Sequence, residues 1–174
     1  MATKNYKELL KDIKVFIFDI DGVLTDGQVL ITKEEYIRSI HAKDAYAIQY
    51  ASKIGYQLFV ISGGYSPTLN EKLSRLGIKE VCCKSKNKIE SYEYLKEKYH
   101  FLDDNVVYIG DDLPDYFLMQ KVGLATCPQD AAIEIKNICH YQSPFYGGKG
   151  CVRDLIEQVL KVQGNWMKDT FFEW

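Results

Sequence analysis

The 174-residue chain lacks most of what would mark a binder of polymers or membranes. It has no basic excess: 22 Lys and Arg stand against 24 Asp and Glu, for a net charge of −2, which argues against a nucleic-acid partner. No stretch reaches the roughly 18 to 20 consecutive apolar residues of a membrane span, and Met1-Ala2-Thr3-Lys4-Asn5 lacks the apolar core of a secretory signal. The expectation is a soluble, cytoplasmic protein with no membrane partner. Five cysteines occur without a CxxC pair, so they read as core residues in a reducing compartment rather than as a zinc site or a disulfide framework. His41, His100 and His140 show no ligand spacing. Internal repeats and low-complexity segments are missing, and the Lys/Glu-rich stretch 90–98 is the wet face of a helix.

What the chain does have is acids at the ends of apolar runs. Val15-Phe16-Ile17-Phe18 has the length and the β-branched and aromatic content of a buried parallel strand, and it runs into Asp19-Ile20-Asp21-Gly22-Val23-Leu24-Thr25. Residues two apart in a strand point the same way, so Asp19 and Asp21 converge on one point. Like charges held that close repel unless a cation lies between them, and Mg²⁺, which takes oxygen ligands, suits the position. Asp-Gly is also a common turn signal, and taken alone the segment allows a plain Asp-rich turn. A second run, Val106-Val107-Tyr108-Ile109, ends in Gly110-Asp111-Asp112-Leu113-Pro114-Asp115. Two acid-tipped strands suggest one shared metal site. Between them, Gln57-Leu58-Phe59-Val60-Ile61 leads into Ser62-Gly63-Gly64, a hydroxyl and two glycines where a backbone can approach a phosphate; a Ser-capped strand-to-helix turn reads the same way. Lys88 opens a helical stretch. Lysines there are usually solvated, but phosphate chemistry needs a fixed cation.

In order, Asp19-x-Asp21, Ser62, Lys88 and Gly110-Asp111-Asp112-x-x-Asp115 resemble the four motifs of the haloacid dehalogenase-like phosphatase superfamily, over about residues 13 to 125. Within it, residues 19–27, Lys43-Asp44-Ala45-Tyr46-Ala47-Ile48 and Gly147-Gly148-Lys149-Gly150-Cys151-Val152-Arg153-Asp154 resemble the small phosphatases acting on 3-deoxy-D-manno-octulosonate 8-phosphate. The resemblance implies Asp19 as nucleophile, Asp21 as acid and base, and Mg²⁺ held by Asp19, Asp111 and the Asp21 carbonyl. It implies phosphoryl oxygens held by Ser62, the Gly63 amide and Lys88, with Asp112 and Asp115 orienting metal waters or Lys88. It also implies a sugar-acid phosphate substrate and a role in making a lipopolysaccharide precursor. Relatives often carry an arginine in the second motif, whereas this chain reads Ser62-Gly63-Gly64-Tyr65. The candidates for holding the substrate carboxylate in its place are Arg38, Lys43, Lys149 and Arg153. Nine-carbon ulosonate 9-phosphates and a broad set of sugar phosphates remain alternatives, although no acid stands at residues 62–66 to favour the former. A catalytically silent scaffold would normally have lost an acid or the lysine, and all are present.

The expected fold is α/β, a Rossmann-like parallel sheet with helices on both faces. Strands are expected at 14–18, 57–61, 79–83, 106–109 and 123–126, and helices at 44–53, 66–75, 87–98, 113–120, 130–135 and 151–163. A chain of this length suits one domain, and about 40 residues between Asp21 and Ser62 leave no room for a cap. The missing walls are then expected from neighbouring subunits, which the resemblance implies are those of a homotetramer. One candidate wall is a β-hairpin at 28–40, equally readable as a plain edge hairpin. The other is the tail 164–174 with Trp166, Phe171, Phe172 and Trp174, docked on its own core or on a neighbour.

Overall fold

The computed structural model describes residues 5–34 and 36–168. Six strands form one parallel sheet: β1 (Val15–Phe18), β4 (Gln57–Ile61), β5 (Glu80–Cys82), β6 (Val106–Ile109), β7 (Leu124–Cys127) and β8 (Tyr141–Gln142), in the order β5-β4-β1-β6-β7-β8. The period of two in strand side chains splits each apolar run between two cores. Phe16, Phe18, Leu58, Val60, Val107 and Ile109 face one side, where α1 (Tyr6–Leu9), α2 (Ala42–Lys53), α3 (Pro67–Arg75) and α7 (Cys151–Val162) cover them. Val15, Ile17, Phe59, Ile61, Val106 and Tyr108 face the other, under α4 (Lys88–Tyr99), α5 (Tyr116–Met119) and α6 (Ile133–Ile138). Of the five cysteines expected in the core, Cys127 and Cys151 are buried there, whereas Cys82, Cys83 and Cys139 are half-buried.

From β1 the chain steps outward to β4 and β5, then returns to the other side of β1 for β6, β7 and β8. Connections therefore diverge between β1 and β6, which opens a crevice at their carboxyl ends, where open α/β sheets bind ligands. Asp19 and Asp111 follow directly on these two strands, tied by the Asp19 amide donating to the Ile109 carbonyl at 3.1 Å.

The expected hairpin is present but short. β2 (Leu30–Ile31) and β3 (Tyr36–Ile37) pair antiparallel over two residues each, not over the whole of 28–40. The described residues between Asp21 and Ser62 add only α2 and β4, and those between Ser62 and Lys88 add only α3 and β5, so no cap covers the sheet edge.

Besides the helix expected at 130–135, which is found over Ile133–Ile138, three features depart from the expected elements. A short helical segment, Tyr6–Leu9 continuing as a 3₁₀ turn to Asp12, precedes β1, held by tertiary contacts: Tyr6 stacks on Tyr141 with centroids 4.7 Å apart, and the Gln163 amide donates to the Leu10 and Ile13 carbonyls. β8 is a two-residue edge strand with no apolar run to announce it. The helix expected at 113–120 divides into a 3₁₀ turn, Leu113–Asp115, and α5, because the Asp112 and Asp115 side chains cap the turn. In the tail, Trp166 packs on its own core, 5.1 Å from the Tyr50 ring and 5.2 Å beneath the Arg153 guanidinium. Phe171, Phe172 and Trp174 lie outside the described residues.

Candidate active site

Every acid of the two strand tips has a distinct role in the wiring. Lys88, the first residue of α4 after its Asn87 cap, is pinned between two carboxylates: its Nζ lies 3.0 Å from Asp19 Oδ1 and 2.5 Å from Asp115 Oδ1. Asp115 is buried and fully engaged. Its Oδ1 also accepts the Tyr108 hydroxyl at 2.5 Å, and its Oδ2 accepts the Asp111 amide at 2.9 Å and the Asp112 amide at 3.3 Å. Asp112 instead accepts the Leu113 amide at 2.8 Å. Of the two orienting roles offered to this pair, Asp115 takes the one on Lys88, while Asp112 holds the turn.

The electrostatics follow from this crowding. Burial pushes the Asp19 carboxyl up to about 6, against the pull of Lys88. Burial, joined by the charges of Asp19 and Asp115, pushes Asp111 up to about 8. Burial would lower the Lys88 ammonium, but Asp19 and Asp115 outweigh it and hold it above its ordinary value. Two carboxyls reluctant to ionise together, beside a cation already in use, are what a divalent metal relieves.

Asp19, Asp111 and Asp115 each offer a carboxylate oxygen within 4.8 Å of the others. Since four donors already occupy Asp115, the carboxylates left to grip an ion are Asp19 and Asp111, and an all-oxygen set of this kind fits Mg²⁺. The Asp21 carboxylate is turned away from this cluster. It accepts both Nε and Nη2 of Arg38, at 2.6 and 2.9 Å, so only its backbone oxygen remains for a metal.

Gly22 makes the metal corner possible. Its φ is +87°, and a Cβ there would stand 2.0 Å from Asp111 Oδ2. Gly22→Ala is expected to cost about 1–3 kcal/mol of stability and to weaken Mg²⁺ binding about tenfold or more by displacing Asp111. Thermal unfolding with and without Mg²⁺ checks this; an unaltered Mg²⁺-induced rise in Tm contradicts it. Because Mg²⁺ must displace the proton that Asp111 keeps up to about pH 8, its apparent affinity is expected to rise between pH 6 and 8, by up to about tenfold per pH unit. Calorimetric titration at the two ends measures this, and a flat affinity would contradict a protonated Asp111 at the site.

Ser62 follows β4 and is buried, its amide on the Cys82 carbonyl at 2.9 Å. Its Oγ accepts the Gly64 amide at 3.1 Å, which leaves the hydroxyl proton to donate. Gly63 and Gly64 border a cavity of about 990 Å³ that runs under the hairpin, past Arg38, Tyr65 and Lys84.

The four substrate candidates fall in two places. Arg38 lines this cavity, but its charge is spent on Asp21. Lys43, Lys149 and Arg153 border a separate cavity of about 430 Å³ at the start of α7, where the buried Asp44 accepts the Gly150 and Arg153 amides at 3.1 and 2.7 Å. There Lys149 lies 3.3 Å from Asp26, and Arg153 pairs with Glu157. The Arg38–Asp21 pair, 17 residues apart, and the place of Tyr108 and Lys84 beside the site had no sequence signal beyond residue type.

Residues 72–152 match the haloacid dehalogenase-like hydrolase family. The chain is 31% identical over 155 residues to 3-deoxy-D-manno-octulosonate 8-phosphate phosphatase KdsC of Escherichia coli K12, covering 88% of this chain and 82% of that protein. With the protein of the same name from Haemophilus influenzae it shares 33% over 159 residues, 91% and 88% of the two chains. Among solved structures, the Moraxella catarrhalis 3-deoxy-D-manno-octulosonate 8-phosphate phosphatase in complex with magnesium, phosphate and KDO superposes with a TM-score of 0.89 at 28% identity, over 94% of this chain and 95% of that one. The cobalt-bound H. influenzae phosphatase gives 0.88 at 33% identity, over 93% and 96%.

Proposed function

The chain belongs to the 3-deoxy-D-manno-octulosonate 8-phosphate phosphatase family of haloacid dehalogenase-like hydrolases, and from that membership we propose that it removes the phosphate of this eight-carbon sugar acid on the way to a lipopolysaccharide precursor. It is a phosphoric monoester hydrolase that uses Mg²⁺. The observation that carries the reading is the Asp19 carboxylate at the crevice of the sheet, held 3.0 Å from a buried lysine and facing Asp111.

In the proposed reaction, Asp19 attacks the phosphorus in line and takes the phosphoryl group as an aspartyl phosphate while the bond to the sugar oxygen breaks. Lys88 cannot drift from the Asp19 carboxylate, because Asp115 and Tyr108 fix it from behind. The Ser62 hydroxyl and the Gly63 amide hold phosphoryl oxygens. When bound by Asp19, Asp111 and the Asp21 carbonyl, Mg²⁺ supplies positive charge against those oxygens. Asp21 protonates the departing sugar oxygen, then takes a proton from the water that hydrolyses the aspartyl phosphate. The Arg38 guanidinium, on both oxygens of Asp21, fixes the direction of that side chain.

The open edge is closed by assembly. Leu30 and Ile31 are 64% and 73% exposed, and Tyr36 and Ile37 opposite them are exposed too. An apolar ribbon of this kind on a capless chain supports a homotetramer built on the hairpin, in the cytoplasm where such a precursor is handled. The test of the function is phosphate release from 3-deoxy-D-manno-octulosonate 8-phosphate beside a nononate 9-phosphate and a hexose phosphate, with Mg²⁺ and with chelator. A Mg²⁺-dependent preference for the eight-carbon acid is expected. Equal slow release from all three would withdraw the substrate, and no release would leave a scaffold.

A further inference from the structure

The cavity beside the phosphate loop holds a cation that the reaction does not use. Lys84 lies just beyond β5 and has a φ of +54°, the left-handed region that residues with a Cβ avoid. Two backbone hydrogen bonds hold it there: its amide donates to the Gly64 carbonyl at 3.2 Å, and the next amide, of Ser85, donates to the Ser62 carbonyl at 3.0 Å. The strained residue is thus stitched to the loop that would grip the phosphate.

Its side chain is placed as well. The ammonium sits 4.5 Å from the centroid of the Tyr65 ring, a cation–π contact, and both residues line the cavity. Among the described residues no carboxylate comes within ion-pair distance of Lys84. Arg38, across the same cavity, is neutralised by Asp21. A positive charge that is aromatic-supported, without an ion-pair partner among the described residues and held at the cost of backbone strain, faces the space next to the phosphate loop, with Glu34 elsewhere in the same lining.

Resting on the substrate reading above, we infer that Lys84, steadied by Tyr65, is the specificity-determining residue that pairs with the carboxylate of the sugar acid phosphate. The phosphate is held at Ser62, Gly63 and Lys88, and the chain of the sugar runs along the cavity beneath the hairpin to the Lys84 ammonium.

The test is the ratio of kcat/KM for 3-deoxy-D-manno-octulosonate 8-phosphate to that for a hexose 6-phosphate, which has no carboxylate. Losing a charge-assisted pair is expected to lower this ratio about ten- to hundredfold in Lys84→Gly, mainly through KM for the sugar acid phosphate. Glycine also relieves the left-handed backbone, so the variant's Tm is expected to rise. Lys84→Arg, which keeps the charge, is expected to retain most of the discrimination. A ratio unchanged in Lys84→Gly overturns the inference alone. A wild-type ratio near one overturns it together with the substrate reading.

Discussion

Lys88→Met is expected to cost about 3–5 kcal/mol of stability and to abolish turnover. The ammonium is the cationic partner of Asp115 and Asp19 within a buried cluster, and removing it leaves their charge uncompensated where water cannot reach. The loss has a pH signature. Burial already pushes Asp19 up to about 6 despite the pull of Lys88, and without that pull it rises further. A carboxyl whose folded-state pKa exceeds its unfolded value contributes stability that is present at low pH and lost as pH rises through the folded pKa. The wild type loses this contribution between about pH 4 and 6 and the variant over a window reaching higher, so the deficit of the variant should shrink as the pH falls toward 5. Urea unfolding at pH 5 and pH 8 measures it. A deficit independent of pH would mean that Lys88 acts by packing and not by charge.

Asp19→Asn is expected to move stability the other way while reducing turnover by a factor on the order of 10⁴ or more. The amide cannot form the phosphoenzyme, yet it removes a carboxylate that burial disfavours, and Lys88 keeps its bond to Asp115. The metal-free variant should therefore melt above the metal-free wild type, a trade of stability for function seen where active-site charges are held against their own solvation. Its far-UV spectrum and Tm exclude unfolding as the cause of inactivity. Near-normal hydrolysis by the folded variant would remove Asp19 as the nucleophile.

Local physics explains which parts of this structure were legible in the sequence. β1, β4 and β6 were found to within a residue, because four apolar residues that end in Asp, Ser-Gly or Gly-Asp leave little freedom of assignment. Lys88 stood out only through its position at the start of a helix. The segments missed are held by distant partners: the first helix by Gln163 and Tyr141, and β8 by its two-residue pairing with β7. At the site, the sequence supplied the acids but not which oxygen faces what. Asp115 is bound into a turn because its own spacing to Asp112 makes a capping box, which a plain helix assignment passes over. That Arg38 faces Asp21, and not a substrate, depends on how a short hairpin folds back over the sheet edge, and no periodicity encodes this. Lys84 lies just past the expected strand at 79–83, and nothing in its neighbours marks a left-handed backbone.

The most direct test of phosphoryl transfer to Asp19 is a single-turnover quench of Asp21→Asn with an aryl phosphate and Mg²⁺, followed by mass spectrometry of the peptides. An aryl leaving group needs no acid, so the first step proceeds, whereas hydrolysis of the intermediate lacks its base. One phosphoryl group accumulating on the peptide that carries Asp19 is the predicted result. Phosphate released at the rate at which substrate disappears, with no label on that peptide at any time, would contradict the account.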